Sequence, residues 1–405
     1  MTISTSTSLR SLSRNSLRLF VARVGAQALG FLYLAIVARR LAPADFGHLT
    51  WIAALTLIGN TFTTFGTDIF LIREVARQRS MLRPIQQAFT LQLGLSLIWC
   101  VVSLVWTKNP ALLIYSLGLF PLAAFSVASA CLRALERMDL FWMLSLGSAG
   151  IQLVGALLVP NLLGLCLVFS LGNVVAARLG WWLAVQAFPE FRLLPLLNVR
   201  SLLPLVWPFA LLMTFSVIYQ RIGLLLAAWT LGDAATAHFA LPLRVVDALK
   251  LGHYAFLGAL LPKLSKRSLG VEQQFRQSLV GLLALVCGLA ILFSDGAASF
   301  LSVLFGNSYR SDGPLLQVLV WSLLPYTVSA FLSVRLVAED REGKLLQVTI
   351  FALTSATLFY GLGLHFYGLR GAAVATVLSE IVQAALLGLA LWRTQRKLIH
   401  TCVIH

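Results

Sequence analysis

Apolar stretches of about 20 residues follow one another along almost the whole chain, separated by short polar joints. A helix of that length spans the hydrocarbon core of a bilayer, so each stretch reads as a membrane crossing. Twelve are predicted, at roughly 15–38, 48–67, 85–106, 111–131, 140–159, 161–187, 203–230, 234–261, 277–294, 314–336, 345–366 and 370–392. The pattern predicts an all-α polytopic membrane protein.

Basic residues sort between alternate joints. One side holds Arg10, Arg14 and Arg18, then Arg73, Arg77, Arg79 and Arg83, Arg133 and Arg137, Arg192 and Arg200. It continues with Lys263, Lys266, Arg267 and Arg276, Arg341 and Lys344, and Arg393, Arg396 and Lys397. The other side holds only Arg39, Arg40, Lys108, Arg310 and Arg370. Lys and Arg stay on the cytoplasmic side during insertion, so both termini are expected inside and the number of crossings is expected to be even.

Composition changes this picture little: 59% hydrophobic and 11% charged residues exclude a water-soluble fold. The net charge of +16 raises nucleic acid as a partner, but the cations flank the spans, where anionic lipid headgroups are nearer. No nucleic-acid partner is expected. Of five cysteines, Cys100, Cys131, Cys166 and Cys287 fall in apolar stretches and Cys402 in the tail, without metal-ligand spacing. They read as packing residues, and neither metal nor cofactor is expected. The Ser- and Arg-rich start lacks a small-residue cleavage pattern and reads as a retained amphipathic entry to the first span.

The two halves echo each other. Leu41-Ala-Pro-Ala-Asp-Phe-Gly-His48 aligns with Leu231-Gly-Asp-Ala-Ala-Thr-Ala-His238 at an offset of 190, and Arg133-Ala-Leu-Glu-Arg137 with Val337-Ala-Glu-Asp-Arg341 at an offset of 204. Six spans per half make the repeat parallel, with a pseudo-two-fold axis along the membrane normal. The expected division is a six-helix bundle over 1–187, a Pro-rich basic cytoplasmic linker over 188–203, a second bundle over 204–392 and a cytoplasmic tail over 393–405.

Ionisable residues inside apolar sequence carry the candidate chemistry, because each costs about 2.5–3.5 kcal/mol on insertion scales unless it faces protein or water. Arg23 shares a helical stripe with Gln27 and Gly30, and is either cavity-facing or drawn to the interface. Arg178 follows Asn173, with Trp181 and Trp182 nearby as interfacial markers. Arg221 lies deep within the seventh span. Arg244, Asp247, Lys250 and His253 step by three along the eighth, either as an ion-pair ladder or as a charged wall. Glu380 sits near the middle of the twelfth, where pairing with an interior arginine is favoured over proton carriage. Asp68 and Arg335 read as interface residues, and His48, His238 and His365 as isolated capping or surface histidines. Guanidinium forks match phosphate oxygens, so the surplus of cations points to an anionic, phosphate-bearing substrate. There is no Gly-rich phosphate loop ending in Gly-Lys-Ser/Thr, no His-Glu-x-x-His and no Gly-x-Ser-x-Gly, so no enzymatic activity is expected.

Several segments together carry a resemblance. They are Arg14-Asn15, Ala38-Arg-Arg-Leu-Ala-Pro-Ala-Asp-Phe-Gly47, Phe65-Gly-Thr-Asp-Ile-Phe-Leu-Ile-Arg-Glu-Val-Ala76, Leu304-Phe-Gly-Asn-Ser-Tyr309 and Ala338-Glu-Asp-Arg341. Over nearly its whole length the chain resembles oligosaccharide flippases of the polysaccharide biosynthesis family, within the multidrug/oligosaccharidyl-lipid/polysaccharide exporter superfamily. The resemblance implies twelve helices in two bundles, a bacterial cytoplasmic membrane, and alternating access for a polyprenyl-pyrophosphate-linked oligosaccharide such as an O-antigen or exopolysaccharide repeat unit. It also implies membrane lipids, a polysaccharide polymerase and other assembly proteins as partners. On this reading Arg23, Arg178, Arg221, Arg244 and Lys250 bind the headgroup, and Asp247 and Glu380 are candidates for ion coupling. Gln220 stands where members usually carry an acidic residue, which questions coupling through that position. The competing readings are a cation-coupled multidrug exporter, which an arginine-rich interior disfavours, and a membrane glycan polymerase or ligase, which the short outer loops disfavour.

Overall fold

The computed structural model describes residues 24–77, 82–195, 198–265, 271–339 and 341–403. Its helices are α1 (24–40), α2 (Pro43–Thr64), α3 (Thr67–Arg77), α4 (Leu82–Thr107), α5 (Pro110–Leu117), α6 (Leu119–Ala134), α7 (Met138–Leu158) and α8 (Leu162–Ala187). They continue with α9 (Leu203–Leu231), α10 (Asp233–Ser265), α11 (Val271–Phe305), a 3-10 turn (Asn307–Asp312), α12 (Gly313–Val320), α13 (Leu323–Ala338) and α14 (Glu342–Val403). No β-strand occurs among the described residues.

Seven of these segments are long and apolar enough to cross a membrane, and two bent helix pairs raise the number to nine. The twelve crossings that the sequence predicts require in addition that α14 be divided at its kink and that α1 and the charge-bearing α10, which fall short of that length or apolarity, also cross. Lipid is the only solvent that suits the outer faces: on α4, for example, Leu97, Ile98, Val101, Val105 and Trp106 are exposed.

Several helices depart from the expected single rods, each for a local reason. The second span begins at Pro43, breaks at Phe65 (φ 46°) and Gly66 (φ 70°), and continues as α3, bent by 41°. At Gly66 a side chain would press on Phe209 Cβ at 2.9 Å and Ala210 N at 3.0 Å, so only glycine admits the start of α9. Helix α3 is amphipathic, burying Leu71 and Val75 and exposing Arg73, which therefore lies on a helix and not in a joint. The fourth span breaks at Gly118 and the tenth at Trp321–Ser322. Pro121 and Pro325 follow three residues after Gly118 and Ser322, where each removes the backbone donor that would have bridged the break. Gly118 and Ser322 are 204 residues apart, the offset of the second sequence echo. Helix α11 runs on past the expected end of the ninth span, because exposed Asp295 is solvated without ending the helix. Spans eleven and twelve are joined directly: Gly368 (φ 58°, ψ −138°) folds α14 back on itself, bringing Gly363 against Gly371 and Tyr360 within 2.9 Å of Thr376.

The chain forms two compact units, Met1–Leu41 with Ile52–Thr214, and Ala42–Trp51 with Phe215–His405. Thus the first turns of α2 belong with the second unit, and the division falls inside α9, later than the 188–203 linker. In the first unit Leu71, Val75, Ile85, Val127, Ala128 and Phe191 form a core beneath α3, α4, α6 and the segment after α8. The turns into α5 and α8 are sharpened by Asn109, which accepts from Ala111 N (3.0 Å) and Leu112 N (3.3 Å), and by Asn161, which accepts from Gly164 N (2.7 Å). Such caps contribute about 1 kcal/mol each. In the second unit Phe275 with Phe331, and Leu336 with Val348, Leu387 and Leu391, join α11, α13 and α14. Cys100, Cys131 and Cys166 are buried free thiols, packed as expected.

Candidate functional site

Within the second unit, α9, α10 and α14 bring five of the sequence-selected residues into two ion-paired groups. Arg221 of α9 is only 8% exposed and donates from Nη1 to Asp247 Oδ2 on α10 at 3.1 Å. Arg244, one turn before Asp247, places Nη1 4.0 Å from the same oxygen. Two guanidinium groups therefore share one carboxylate, and the Asp247 and Arg244 side chains remain 30% and 26% exposed. This group is reachable from outside.

The other group is closed. Lys250 Nζ donates to Glu380 Oε1 at 3.1 Å, with side chains 13% and 7% exposed, and lies 4.4 Å from the centre of the Tyr326 ring. Glu380 thus pairs with a lysine and not, as the sequence led us to expect, with an arginine. Asp247 already engages both nearby arginines, while a spacing of 130 residues still brings the Lys250 ammonium to α14. The i, i+3 ladder along α10 is likewise replaced: Arg244 approaches Asp247 only at long range, and Lys250 turns to another helix.

Low polarity around these charges makes pairing obligatory, since an isolated buried ion costs several kcal/mol. The pairing is incomplete in detail. Tyr219 Oη, Arg221 Nε and Glu380 Oε2 are buried without a hydrogen-bond partner among the described residues. Counted together, the two groups set three basic side chains beside two carboxylates among the described residues. Such a site can exchange an internal carboxylate for an incoming anion.

The remaining selected residues lie elsewhere. Arg23 falls outside the described residues, and so does the side chain of His253. In the first unit, Asn173 is buried on α8 whereas Arg178 is exposed. Five residues of helix separate their directions by roughly 140°, which explains the split. Gln220, next to buried Arg221, is exposed. Asp68 is more than an interface residue: it accepts from Ser126 Oγ at 2.5 Å and meets Arg133 Nη2 at 3.5 Å. Gln92 completes this network, donating to Thr67 Oγ1 (2.7 Å) and Ser126 Oγ (3.4 Å).

Two histidines read as isolated are in fact paired, each with an aspartate at the start of a following helix. His48 Nδ1 lies 2.8 Å from Asp233 Oδ2, and His238 Nδ1 lies 2.8 Å from Asp312 Oδ2. Tyr309 packs against both His238 and Phe46. The signal was present in the repeat, which aligns His48 with His238, but the aspartates lie at distances no local pattern reveals. At Gly47 a Cβ would fall 1.7 Å from Asp233 O and 3.0 Å from Ala237 N, so the first turns of α2 and α10 touch backbone to backbone. No group of three or more His, Cys, Asp and Glu side chains suited to a metal forms among the described residues.

A multi-span helical fold with charged groups buried between its helices defines the class: a multi-pass membrane protein. Residues 12–268 match the family model described as polysaccharide biosynthesis protein, and the chain belongs to that family. Among solved structures, the fold is similar to the lipid II flippase MurJ in an inward closed conformation, with a TM-score of 0.73 and 11% identity over 92% of this chain and 86% of that one. It is also similar to an inward-facing multidrug resistance MATE family transporter of the MOP superfamily, with a TM-score of 0.71 and 17% identity over 91% and 94%. A third is a MOP superfamily transporter from Pyrococcus furiosus, described as having a binding pocket of reverse polarity, with a TM-score of 0.64 and 17% identity over 94% and 95%. No match was found among curated proteins.

Proposed function

We propose that this protein is a flippase that carries a polyprenyl-pyrophosphate-linked oligosaccharide, an O-antigen or exopolysaccharide repeat unit, across a bacterial cytoplasmic membrane by alternating access, with both termini cytoplasmic. The observation that carries the reading is the sharing of Asp247 by Arg221 and Arg244. A diphosphate offers more anionic oxygens than one carboxylate and takes guanidinium forks bidentately, so it competes for that pair. Lys250 joins the cationic set once Glu380 is displaced, Arg23 belongs to the same proposed set, and Asp247 and Glu380, once displaced, are the groups through which ion or proton coupling would act. The lipid tail stays in the bilayer, so the protein supplies a polar path for the headgroup alone, whose crossing of bare hydrocarbon is prohibitive. A polysaccharide polymerase and other assembly proteins are the natural consumers of the translocated unit.

The test is translocation by the purified protein in liposomes of a polyprenyl-pyrophosphate glycan, compared with its monophosphate and uncharged analogues and with drug cations. Diphosphate-dependent translocation, abolished in Arg221→Ala at unchanged insertion, is the expected outcome. Full activity of that variant, or transport of drug cations without a diphosphate response, would overturn the reading.

A further inference from the structure

Arg178 occupies a setting unlike that of the paired cations. Its neighbours on the outer face of α8 are Leu167, Leu171, Val174, Val175, Trp181 and Trp182, all exposed. An exposed face of that composition is one that lipid covers. Beside it is a hollow of about 280 Å³, lined by Ala124 of α6, by Val174, Ala177, Arg178 and Trp181 of α8, and by Leu193 beyond it. Arg178 is the cation of this lining and makes no ion pair or hydrogen bond among the described residues.

Depth turns this arrangement into a requirement. The 26 residues of α8 measure about 39 Å, against about 30 Å of hydrocarbon. Centred in the bilayer, the helix places Arg178, nine residues from its Ala187 end, roughly 9 Å beneath the hydrocarbon boundary. Trp181 and Trp182 lie about one turn nearer that boundary, where indole rings settle. An arginine so placed extends toward the headgroup layer, and the group it meets there is a lipid phosphate.

We infer that Arg178 and the adjoining hollow form a site for one anionic glycerophospholipid of the leaflet at the C-terminal end of α8, its phosphate on the guanidinium and part of one acyl chain over Ala124, Val174 and Ala177. One lining cation matches the single charge of such a phosphate. A diphosphate calls instead for a guanidinium pair, which α9 and α10 supply. Exposed Arg192, one residue from Leu193, adds to the attraction for anionic over zwitterionic lipid. The site is independent of the transported substrate.

The experiment is native mass spectrometry of the full chain extracted from membranes of phosphatidylglycerol, phosphatidylethanolamine and added polyprenyl pyrophosphate. Wild type is expected to retain one phosphatidylglycerol that Arg178→Gln loses, with occupancy falling by roughly fivefold. Ala124→Leu, which fills the hollow and keeps the charge, is expected to show the same loss and guards against a folding defect in the first variant. Equal phosphatidylglycerol retention in wild type and both variants would overturn the site. Selective loss of the polyprenyl pyrophosphate in its place would overturn the identity of the ligand.

Discussion

The two units each bury a polar network among their helices, but with different chemistry. In the first, Thr67, Gln92 and Ser126 are neutral, and the single carboxylate, Asp68, is held by Ser126 and by Arg133. In the second, five ionisable side chains pair between α9, α10 and α14, and Tyr219 Oη, Arg221 Nε and Glu380 Oε2 have no hydrogen-bond partner among the described residues. A mostly neutral network fixes a bend, even with Gln92 Oε1 left without a hydrogen-bond partner among the described residues. A network in which two guanidinium groups share one carboxylate is poised to accept another anion. The two halves thus place helix breaks alike at Gly118 and Ser322, while the ion-paired groups of α9, α10 and α14 lie in the second unit.

The sharpest way to break this contrast is to strip Glu380 from Lys250. Glu380→Leu removes the carboxylate that holds a nearly buried ammonium, and thermal unfolding in detergent is expected to register about 3 kcal/mol of destabilisation. Combining it with Lys250→Met is expected to restore most of that loss, and a single variant as stable as wild type would mean that water reaches the pair. Arg221→Lys keeps the charge but not the fork. Translocation in liposomes is expected to fall about tenfold, equivalent to about 1.4 kcal/mol, with little change in stability. In the first unit, Gln92→Leu removes the hydrogen bonds to Thr67 and Ser126 and is expected to cost about 1 kcal/mol in the same unfolding assay. Translocation per inserted molecule is expected to be unaffected, which separates the structural network from the functional one. The smallest effect is expected at Arg137 and Asp139, a pair at the exposed start of α7 in which the carboxylate pushes the guanidinium pKa further up. Asp139→Asn is expected to shift stability by less than about 1 kcal/mol, and by less still in high salt.

Most of the fold is legible because a bilayer imposes a length on every apolar segment and a sign on every joint. What was not legible is the shape of individual spans. A break such as that at Phe65 and Gly66 depends on the approach of α9, more than 130 residues away, and Asp295 looks like a loop although the helix continues through it. For the site, burial could be read from apolar context for Arg221 and Glu380 but pairing could not. Side chains on α10 have several helices within reach, and the choice of Glu380 by Lys250 is made in three dimensions. Arg178 and Asn173 show the same limit from the other side: both lie in one apolar run, yet rotation about the helix axis sends one inward and the other out.

The contact at Gly47 has a consequence for how the two halves can diverge. The repeated segments Leu41–His48 and Leu231–His238 align Gly47 with Ala237, and in the folded protein those two positions lie against each other. Matching positions of a repeat ordinarily answer each to its own surroundings. Here each is the other's surroundings: a methyl group is present at 237, and the space for a second one at 47 is already taken by backbone. One carbon atom therefore makes the side chains tolerated at two positions 190 residues apart depend on each other.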